Sequence, residues 1–168
     1  ALLQVKDAVM TPAVLLLKKL KVPHQVLEYQ HDPAAESYGL EAATKLGLAP
    51  VVVFKTLVAA LDGKELVTAI VPVDQLLNMK QLAKAAGAKK AAMAAAADVE
   101  RSSGYVLGGV SPLGQKKQLR TFIDESAAAF ETIYVSAGKR GLEIGLKPAV
   151  LQACLNAKLV SLCQHESA

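Results

Sequence analysis

A single lysine interrupts one of the most apolar segments of the sequence. Residues 51–58 (Val-Val-Val-Phe-Lys-Thr-Leu-Val) are rich in β-branched side chains and predict a buried strand. Because neighbouring strand residues point to opposite faces, Lys55 faces away from the core if Phe54 faces into it. A buried lysine is costly unless it is paired or functional, so Lys55 is a candidate for holding an oxyanion, a carbonyl or a phosphate. The alternative is a lysine on the solvated face of an edge strand. Thr56 offers a hydroxyl beside it, on the other face unless a bulge intervenes.

A glycine-rich loop is the second candidate. The segment Gly108-Gly109-Val110-Ser111-Pro112-Leu113-Gly114 holds three glycines, which let a backbone approach a ligand and present N–H groups to it. It matches neither the phosphate loop nor the dinucleotide pattern. The alternative is a plain connection between strands. The following Lys116-Lys117 and the later Lys139-Arg140 each supply two cations, which favours contact with an anionic partner.

Other chemistries have weaker support. No Ser/His/Asp triad is evident, because Pro112 directly follows Ser111 and breaks the nucleophile-elbow pattern. The adjacent His31 and Asp32 fit a turn better than a catalytic pair. The chain's two cysteines lie near the C-terminus and are expected to be reduced thiols. Its three histidines have no metal-ligand spacing with them, so neither a metal nor a cofactor is predicted. The net charge of +4 alone is a weak indication of an anionic partner.

Helical and strand patterns mix along the chain without a regular repeat. Helices are predicted at 12–20, 39–47, 74–86, 98–103 and 148–156. Strands are predicted at 22–29, 51–58, 65–71, 89–93, 105–107, 118–123, 131–135 and 142–146. Asp62-Gly63 indicates a tight hairpin, and the turn at 138–141 joins two further strands. This pattern predicts an α/β fold on a mixed sheet, not a doubly wound one.

The length of 168 residues predicts a single domain, over residues 10–168. Met10-Thr11-Pro12-Ala13 has the features of a natural start, with Thr11 as N-cap and Pro12 as first helical residue. Residues 1–9 are therefore interpreted as an N-terminal extension or residual cloning sequence. No apolar run is long enough to span a bilayer and no signal peptide is recognised, which predicts a cytoplasmic protein without membrane contact.

Three stretches in combination closely resemble the YbaK/EbsC family, the bacterial Cys-tRNA(Pro) deacylases of the prolyl-tRNA synthetase editing-domain superfamily. They are Phe54–Leu57, Tyr105–Lys117 and Thr132–Ile144, and Met10–Ala13 and His31–Pro33 are also similar to that family. The resemblance covers about residues 10–155. It implies a single α/β domain whose mixed, partly closed, barrel-like β-sheet is flanked by helices.

The resemblance also implies an activity, a trans-editing aminoacyl-tRNA deacylase of the lyase or hydrolase type. The expected substrate is cysteine misattached to proline tRNA, with prolyl-tRNA synthetase as partner and no role for DNA. The family's catalytic positions correspond to Lys55 and Thr56. Its substrate-binding positions correspond to Tyr29, Tyr38, Gly108, Gly109, Val110, Ser111, Pro112 and Glu143, the last often Asp in relatives. The basic pairs Lys116-Lys117 and Lys139-Arg140, expected beside the site, are the candidates for binding tRNA.

The chemistry expected of such a site needs no protein nucleophile. An aminoacyl ester is already activated, so stabilising the tetrahedral oxyanion and placing a nucleophile suffice. The thiol of an attached cysteine can itself attack the ester carbonyl. Two alternatives remain: a non-catalytic module that binds tRNA or a synthetase, and a deacylase for alanine or serine. The sequence departs from the family pattern at 49–53, in the alanine-rich segment 91–97 and at Arg120.

Overall fold

The computed structural model describes residues 3–4 and 10–164, and it forms an α/β fold. The helices are Pro12–Leu20 (α1), Tyr38–Leu46 (α2), Met79–Ala86 (α3), Ala96–Ser103 (α4) and Pro148–Leu155 (α5). The strands are Leu3–Gln4 (β1), Gln25–Glu28 (β2), Phe54–Leu61 (β3), Glu65–Pro72 (β4), Ala91–Met93 (β5), Arg120–Asp124 (β6), Ile133–Lys139 (β7), Leu142–Leu146 (β8) and Lys158–Val160 (β9). Short 3₁₀ turns cover Pro50–Val52 and Glu125–Ala129.

The strands form two sheets that meet at one point. The first has the order β1-β2-β8-β7 and the second β5-β3-β4-β6-β9. Only the β4–β6 and β6–β9 pairs are parallel. An isolated bridge between Val53 and Tyr134 joins the sheets, and no other strand pairing between them occurs in the described part of the chain. The expected mixed α/β sheet is therefore confirmed, and its curvature stops short of a closed barrel.

Strand β3 carries a free edge that matters for the site. Its whole length pairs with β4 on one side. On the other side β5 covers only residues 59–61, and the Ala94 N–H donates to the Val58 carbonyl. Within the described part of the chain, residues 54–57 therefore have no strand neighbour along that edge beyond the Val53 bridge. An uncovered edge leaves main-chain polar groups available to a ligand.

The two faces of β3 pack against different cores. Phe54 is buried with Ile70 among residues of α1, α5, β7 and β8. Ala59 and Leu61 pack with α3 and the C-terminal Leu162 on the opposite face. This alternation confirms that Phe54 faces a core and that Lys55 belongs to the other face.

Two predictions that depend on a few neighbouring residues, a helix cap and a hairpin turn, are confirmed. Thr11 caps α1, its Oγ1 accepting the Val14 N–H at 3.2 Å, and Pro12 is the first helical residue. Asp62 and Gly63 both have positive φ angles, 51° and 70°, as a type I′ hairpin turn requires.

The predicted first residues of one strand and one helix were wrong. The strand expected at 51–58 begins at Phe54, because Pro50 opens a 3₁₀ turn. The helix expected from 74 begins at Met79, because the Asn78 side chain caps it by accepting the N–H groups of Lys80 and Gln81.

The strand expected at 105–107 does not form. Tyr105 is instead buried as a core side chain whose hydroxyl donates to the Leu113 carbonyl at 2.6 Å. Strand β9 was not predicted. The interpretation of residues 1–9 as an extension falls outside the described residues, except for Leu3 and Gln4, which pair with β2.

Candidate functional site

A cleft of about 400 Å³ opens along the free edge of β3. Its floor is the strand from Phe54 to Val58, and its walls come from the N-terminal end of α2, the loop at 107–110, the start of α4 and the β7–β8 hairpin. Of the predicted site residues, it is lined by Lys55, Thr56, Tyr29, Tyr38, Gly108, Val110, Glu143, Lys139 and Arg140. The fold thus brings together residues from five separate stretches of the sequence.

Two buried oxygen atoms in this cleft have no hydrogen-bond partner among the described residues. One is Oγ1 of Thr56, and the other is Oε2 of Glu143, which projects from β8 and is only 7% exposed. Burial raises the pKa of Glu143 to about 8, so its carboxyl is mostly protonated at neutral pH. Buried polar groups are normally paired, so both atoms have unused hydrogen-bonding capacity beside the cleft.

Lys55 is half-buried and lines the same cleft from the other face of β3. Both it and Thr56 reach the cleft because the cleft follows the strand edge and not one face. Burial lowers the pKa of Lys55, while the negative charge of Asp74, and that of Cys163 where its thiol is ionised, acts in the opposite direction. Within residues 10–164, no carboxylate lies in salt-bridge contact with its ammonium. The ammonium is therefore available to an anionic or partly anionic ligand.

Aromatic side chains and Arg140 form the mouth of the cleft. The Arg140 guanidinium lies 3.9 Å from the centre of the Tyr38 ring and donates to the Leu107 carbonyl at 3.1 Å. Gly108 has a φ of 88°, and an added Cβ would lie 2.5 Å from that guanidinium, so glycine is favoured there. Tyr29 is half-buried nearby, and burial raises its pKa to about 12.

A buried carboxylate fixes the segment that follows Tyr29. Glu41 of α2 is 8% exposed; its Oε1 lies 2.7 Å from His31 Nδ1, and its Oε2 accepts the Asp32 N–H at 2.7 Å. It also pairs with Lys45 at 3.0 Å. Burial alone would raise the pKa of Glu41, but the bonds from Asp32, His31 and Lys45 lower it to about 2. The His31 ring in turn contacts Tyr38 edge-on at 5.7 Å. His31 is thus a positioning element, as its turn setting suggested.

The glycine loop contributes only part of itself to the cleft. Gly108 and Val110 line it, and the part of the chain that the structure describes gives their N–H groups no acceptor. Gly109 instead packs on the β7–β8 turn, where an added Cβ would lie 3.2 Å from Lys139 Cα. Ser111 and Pro112 are buried away from the cleft, and Ser111 Oγ accepts the Leu113 N–H. Ser111 therefore has a structural role in the loop.

The basic pairs separate in the structure. Lys139 and Arg140 lie at the cleft, whereas Lys116 and Lys117 line a second groove on the other side of α4. Sequence reasoning also missed Ser136 and Met93, which line the cleft. Ser136 could have been found from the predicted hairpin, because Ser136 on β7 pairs with Glu143 on β8.

The remaining candidate chemistries lie elsewhere or find no support in the structure. Cys154 and Cys163 are both free and neither lines the cleft. Burial raises the pKa of both thiols, that of Cys163 to about 12 with a contribution from Asp124. Across residues 10–164, no group of three or more His, Cys, Asp or Glu side chains could hold a metal. No helix of that part of the chain has the length and apolarity to cross a membrane.

Comparison with known proteins decides the family. Residues 32–154 match the aminoacyl-tRNA editing domain. The chain belongs to the aminoacyl-tRNA editing domain family. It is 37% identical over 157 residues to a protein of Enterococcus faecalis named Cys-tRNA(Pro)/Cys-tRNA(Cys) deacylase EbsC, covering 93% of this chain and 94% of that protein.

Solved structures show the same fold. A crystal structure described as a trans-editing enzyme for prolyl-tRNA synthetase superposes with a TM-score of 0.79 at 20% identity, over 94% of this chain and all of that one. The hypothetical protein APE2540 superposes with a TM-score of 0.82 at 21% identity, over 92% of this chain and all of that one. In this editing-domain chain the matched region contains every cleft residue discussed above except Tyr29, which precedes it.

Proposed function

We propose that this editing domain is a trans-editing deacylase that removes cysteine wrongly attached to proline tRNA. The observation that carries the proposal is the pair of unpartnered buried oxygens, Thr56 Oγ1 and Glu143 Oε2, in one cleft with Lys55. The name of the Enterococcus relative supports the choice of cysteine and of proline tRNA.

The site residues supply electrostatic stabilisation. When a nucleophile attacks the ester carbonyl, negative charge develops on the carbonyl oxygen. The Lys55 ammonium and the N–H groups of Gly108 and Val110 are the donors we assign to that oxygen. Protonated Glu143 and the Thr56 hydroxyl supply further hydrogen bonds to the aminoacyl group. Tyr29 and Tyr38 bound the space for the side chain, and Arg140 with Lys139 meets the terminal phosphates.

The nucleophile we assign is the thiol of the substrate's own cysteine. Its sulfur attacks the ester carbonyl and forms a C–S bond, and the bond from that carbon to the ribose oxygen breaks. The thiol proton passes to the ribose oxygen, so the products are a cyclic thiolactone and intact tRNA. Both protein thiols lie outside the cleft and their pKa values are raised by burial, which supports this assignment.

Selection of the tRNA is assigned to a partner. The cations at the cleft mouth can hold a few phosphates but cannot reach an anticodon. We propose that prolyl-tRNA synthetase presents the mischarged tRNA, in keeping with the description of the superposed trans-editing enzyme. The proposed role in translation editing supports the cytoplasm as its location.

A deacylation panel tests the function. Cysteinyl-, alanyl-, seryl- and prolyl-tRNA(Pro) are incubated with the wild type, with Lys55→Ala and with Lys80→Ala, which removes an exposed lysine of α3. We expect rapid loss of cysteine only, a 10²- to 10³-fold lower rate for Lys55→Ala because one oxyanion contact is lost, and an unchanged rate for Lys80→Ala. A folded wild-type protein that deacylates none of the four would contradict the proposal. Faster loss of alanine or serine would change the assigned specificity.

A further inference from the structure

A second groove of about 530 Å³ lies on the side of α4 opposite the cleft. Five cationic side chains line it, against the two carboxylates of Glu65 and Asp98. The five are Lys64, Arg101, Lys116, Lys117 and Arg120. This α4 groove therefore carries a clear excess of positive charge, which was not foreseen because its residues come from three separate stretches of sequence.

Both carboxylates of the α4 groove are already neutralised. Glu65 receives two hydrogen bonds from Arg120, each 3.0 Å long, and Asp98 receives one from Arg101, also 3.0 Å long. Across residues 10–164, no carboxylate lies in salt-bridge contact with Lys64, Lys116 or Lys117. Three ammonium groups in one concavity thus remain available to an anion.

The lysine pair is held in place by its backbone. The N–H groups of Lys116 and Lys117 donate to the carbonyls of Ser103 and Ser102 at the end of α4, each at 2.9 Å. Arg120 is fixed on the other wall by its bond to the Ala86 carbonyl at 3.1 Å. The backbone of the lysine pair and the Arg120 guanidinium are therefore positioned before a ligand binds, while the two lysine side chains stay exposed.

Helix α4 connects this groove with the cleft. Its residues Ala96 and Val99 line the cleft, whereas Asp98, Arg101 and Ser102 line the groove. A helix with its side chains is about 10–12 Å across, so one extended nucleic-acid strand can pass from one side to the other. The groove lining includes no aromatic side chain, and its apolar members are Leu66 and the buried Leu119. A protein interface is usually anchored by aromatic and apolar residues, so a polyanion is favoured.

We propose that the α4 groove binds the sugar-phosphate backbone of the tRNA acceptor end, a few nucleotides from the aminoacylated ribose in the cleft. The proposal rests on the proposed function for the identity of the polyanion. It adds a phosphate-binding surface that wraps the substrate strand around α4. Lys64, Lys116 and Lys117 become contacts of the substrate at a distance from the reacting ester.

The test measures binding of uncharged proline tRNA and so does not depend on catalysis. Dissociation constants are measured by fluorescence anisotropy over a series of salt concentrations for the wild type, for Lys116→Ala/Lys117→Ala, and for Lys18→Ala/Lys19→Ala. The control pair lies on the exposed face of α1 and removes the same charge. Because each single-strand phosphate contributes about 0.7 to the slope of log affinity against log salt, we expect the groove variant to lose about 1.4 from that slope. This corresponds to roughly tenfold weaker binding at 0.15 M salt.

Deacylation then separates this inference from the proposed function. With cysteinyl-tRNA the groove variant should show a raised KM and an unchanged kcat. With cysteinyl-adenosine, which lacks upstream phosphates, its KM should equal that of the wild type. Equal salt slopes in all three proteins would overturn the inference and leave the deacylase function intact. A variant with normal tRNA binding that loses only its response to added prolyl-tRNA synthetase would overturn it too, by identifying the groove as a protein contact.

Discussion

The Arg140 guanidinium stacks on the Tyr38 ring at 3.9 Å and at the same time bonds to the Leu107 carbonyl. This one side chain joins α2, the glycine loop and the β7–β8 hairpin across the mouth of the cleft. The planar guanidinium can stack on the ring and donate a hydrogen bond at the same time, whereas a lysine ammonium makes only one of these contacts well. The width of the cleft mouth therefore depends on a residue that the sequence identified only as a cation.

Arg140 should consequently act through its shape as well as its charge. We expect Arg140→Lys, which keeps the charge, and Arg140→Ala to raise KM for cysteinyl-adenosine about five- to tenfold, because a cation–π contact and a hydrogen bond worth about 1 kcal/mol are lost. The value of kcat should change less than twofold. Steady-state kinetics with this phosphate-free substrate is the measurement. A normal KM for Arg140→Lys would show that charge alone matters.

The buried Thr56 hydroxyl has no partner among the described residues, so its removal should affect the activity and the stability of the protein differently. Thr56→Val keeps the shape of the side chain and removes a buried oxygen that has no partner, so the free energy of unfolding should stay within about 1 kcal/mol of the wild type or rise. We expect the deacylation rate to fall about tenfold or more, because the proposed function assigns a substrate atom as the partner of this oxygen. Urea unfolding and single-turnover deacylation measure the two effects.

Thr68 supplies the matched control. It is 1% exposed, its Oγ1 is also buried with no partner among the residues that the structure describes, and it lies on β4 outside the cleft. Thr68→Val should therefore affect stability in the same way as Thr56→Val and leave the rate unchanged. Equal activity of the two variants would show that the Thr56 hydroxyl takes no part in the reaction.

The sequence predicted the parts of this site that depend on local pattern. The apolar strand around Lys55, the tight hairpin turn at Asp62-Gly63 and the cap at Thr11 are specified by neighbouring residues. The structure confirms the turn and the cap, and it begins the strand at Phe54. The separation of Lys116-Lys117 from the cleft depends on α4 lying between them. No spacing along the chain encodes that arrangement.

The unpaired carboxyl oxygen of Glu143 could not be predicted from the sequence either. Its position in a strand was predicted, but its unsatisfied oxygen follows from packing by β2, β7 and the edge of β3. The free edge of β3 exists because β5 is only three residues long. Strand length at a sheet edge is set by tertiary contacts more than by residue preference, so sequence reasoning could not have placed the cleft.

The protein cysteines should be dispensable for catalysis. We expect Cys154→Ala and Cys163→Ala to deacylate cysteinyl-tRNA at the wild-type rate, because neither thiol lines the cleft. Seryl-tRNA, whose hydroxyl replaces the thiol as the attacking group, should react far more slowly with every variant. Cys163→Ala should unfold at lower denaturant concentration, since Cys163 is 2% exposed in the core. Loss of activity in a folded variant of either cysteine would refute the assignment of the substrate thiol as nucleophile.

Glu143 should make the stability of the protein depend on pH in an unusual direction. Its ordinary pKa of 4.5 is raised by burial to about 8 in the folded state. Between these values the folded protein holds a proton that the unfolded chain has released, so the free energy of unfolding falls as the pH rises. The free energy of unfolding falls by at most about 1.4 kcal/mol per pH unit because of this one group. The stabilisation that the group provides is fully present below pH 4.5 and is lost as the pH rises through about 8.

Glu143→Gln should remove this dependence, because the amide keeps the shape of the side chain and stays neutral. We expect the unfolding midpoint of Glu143→Gln to rise relative to the wild type as the pH increases from 5 to 8, while Glu131→Gln, at an exposed position, tracks the wild type throughout. The same proton governs the reaction if protonated Glu143 donates to the substrate. The wild-type kcat should then fall above about pH 8, and the residual kcat of Glu143→Gln should not. Parallel pH profiles of stability for the three proteins would show that the carboxyl of Glu143 is ionised in the folded state.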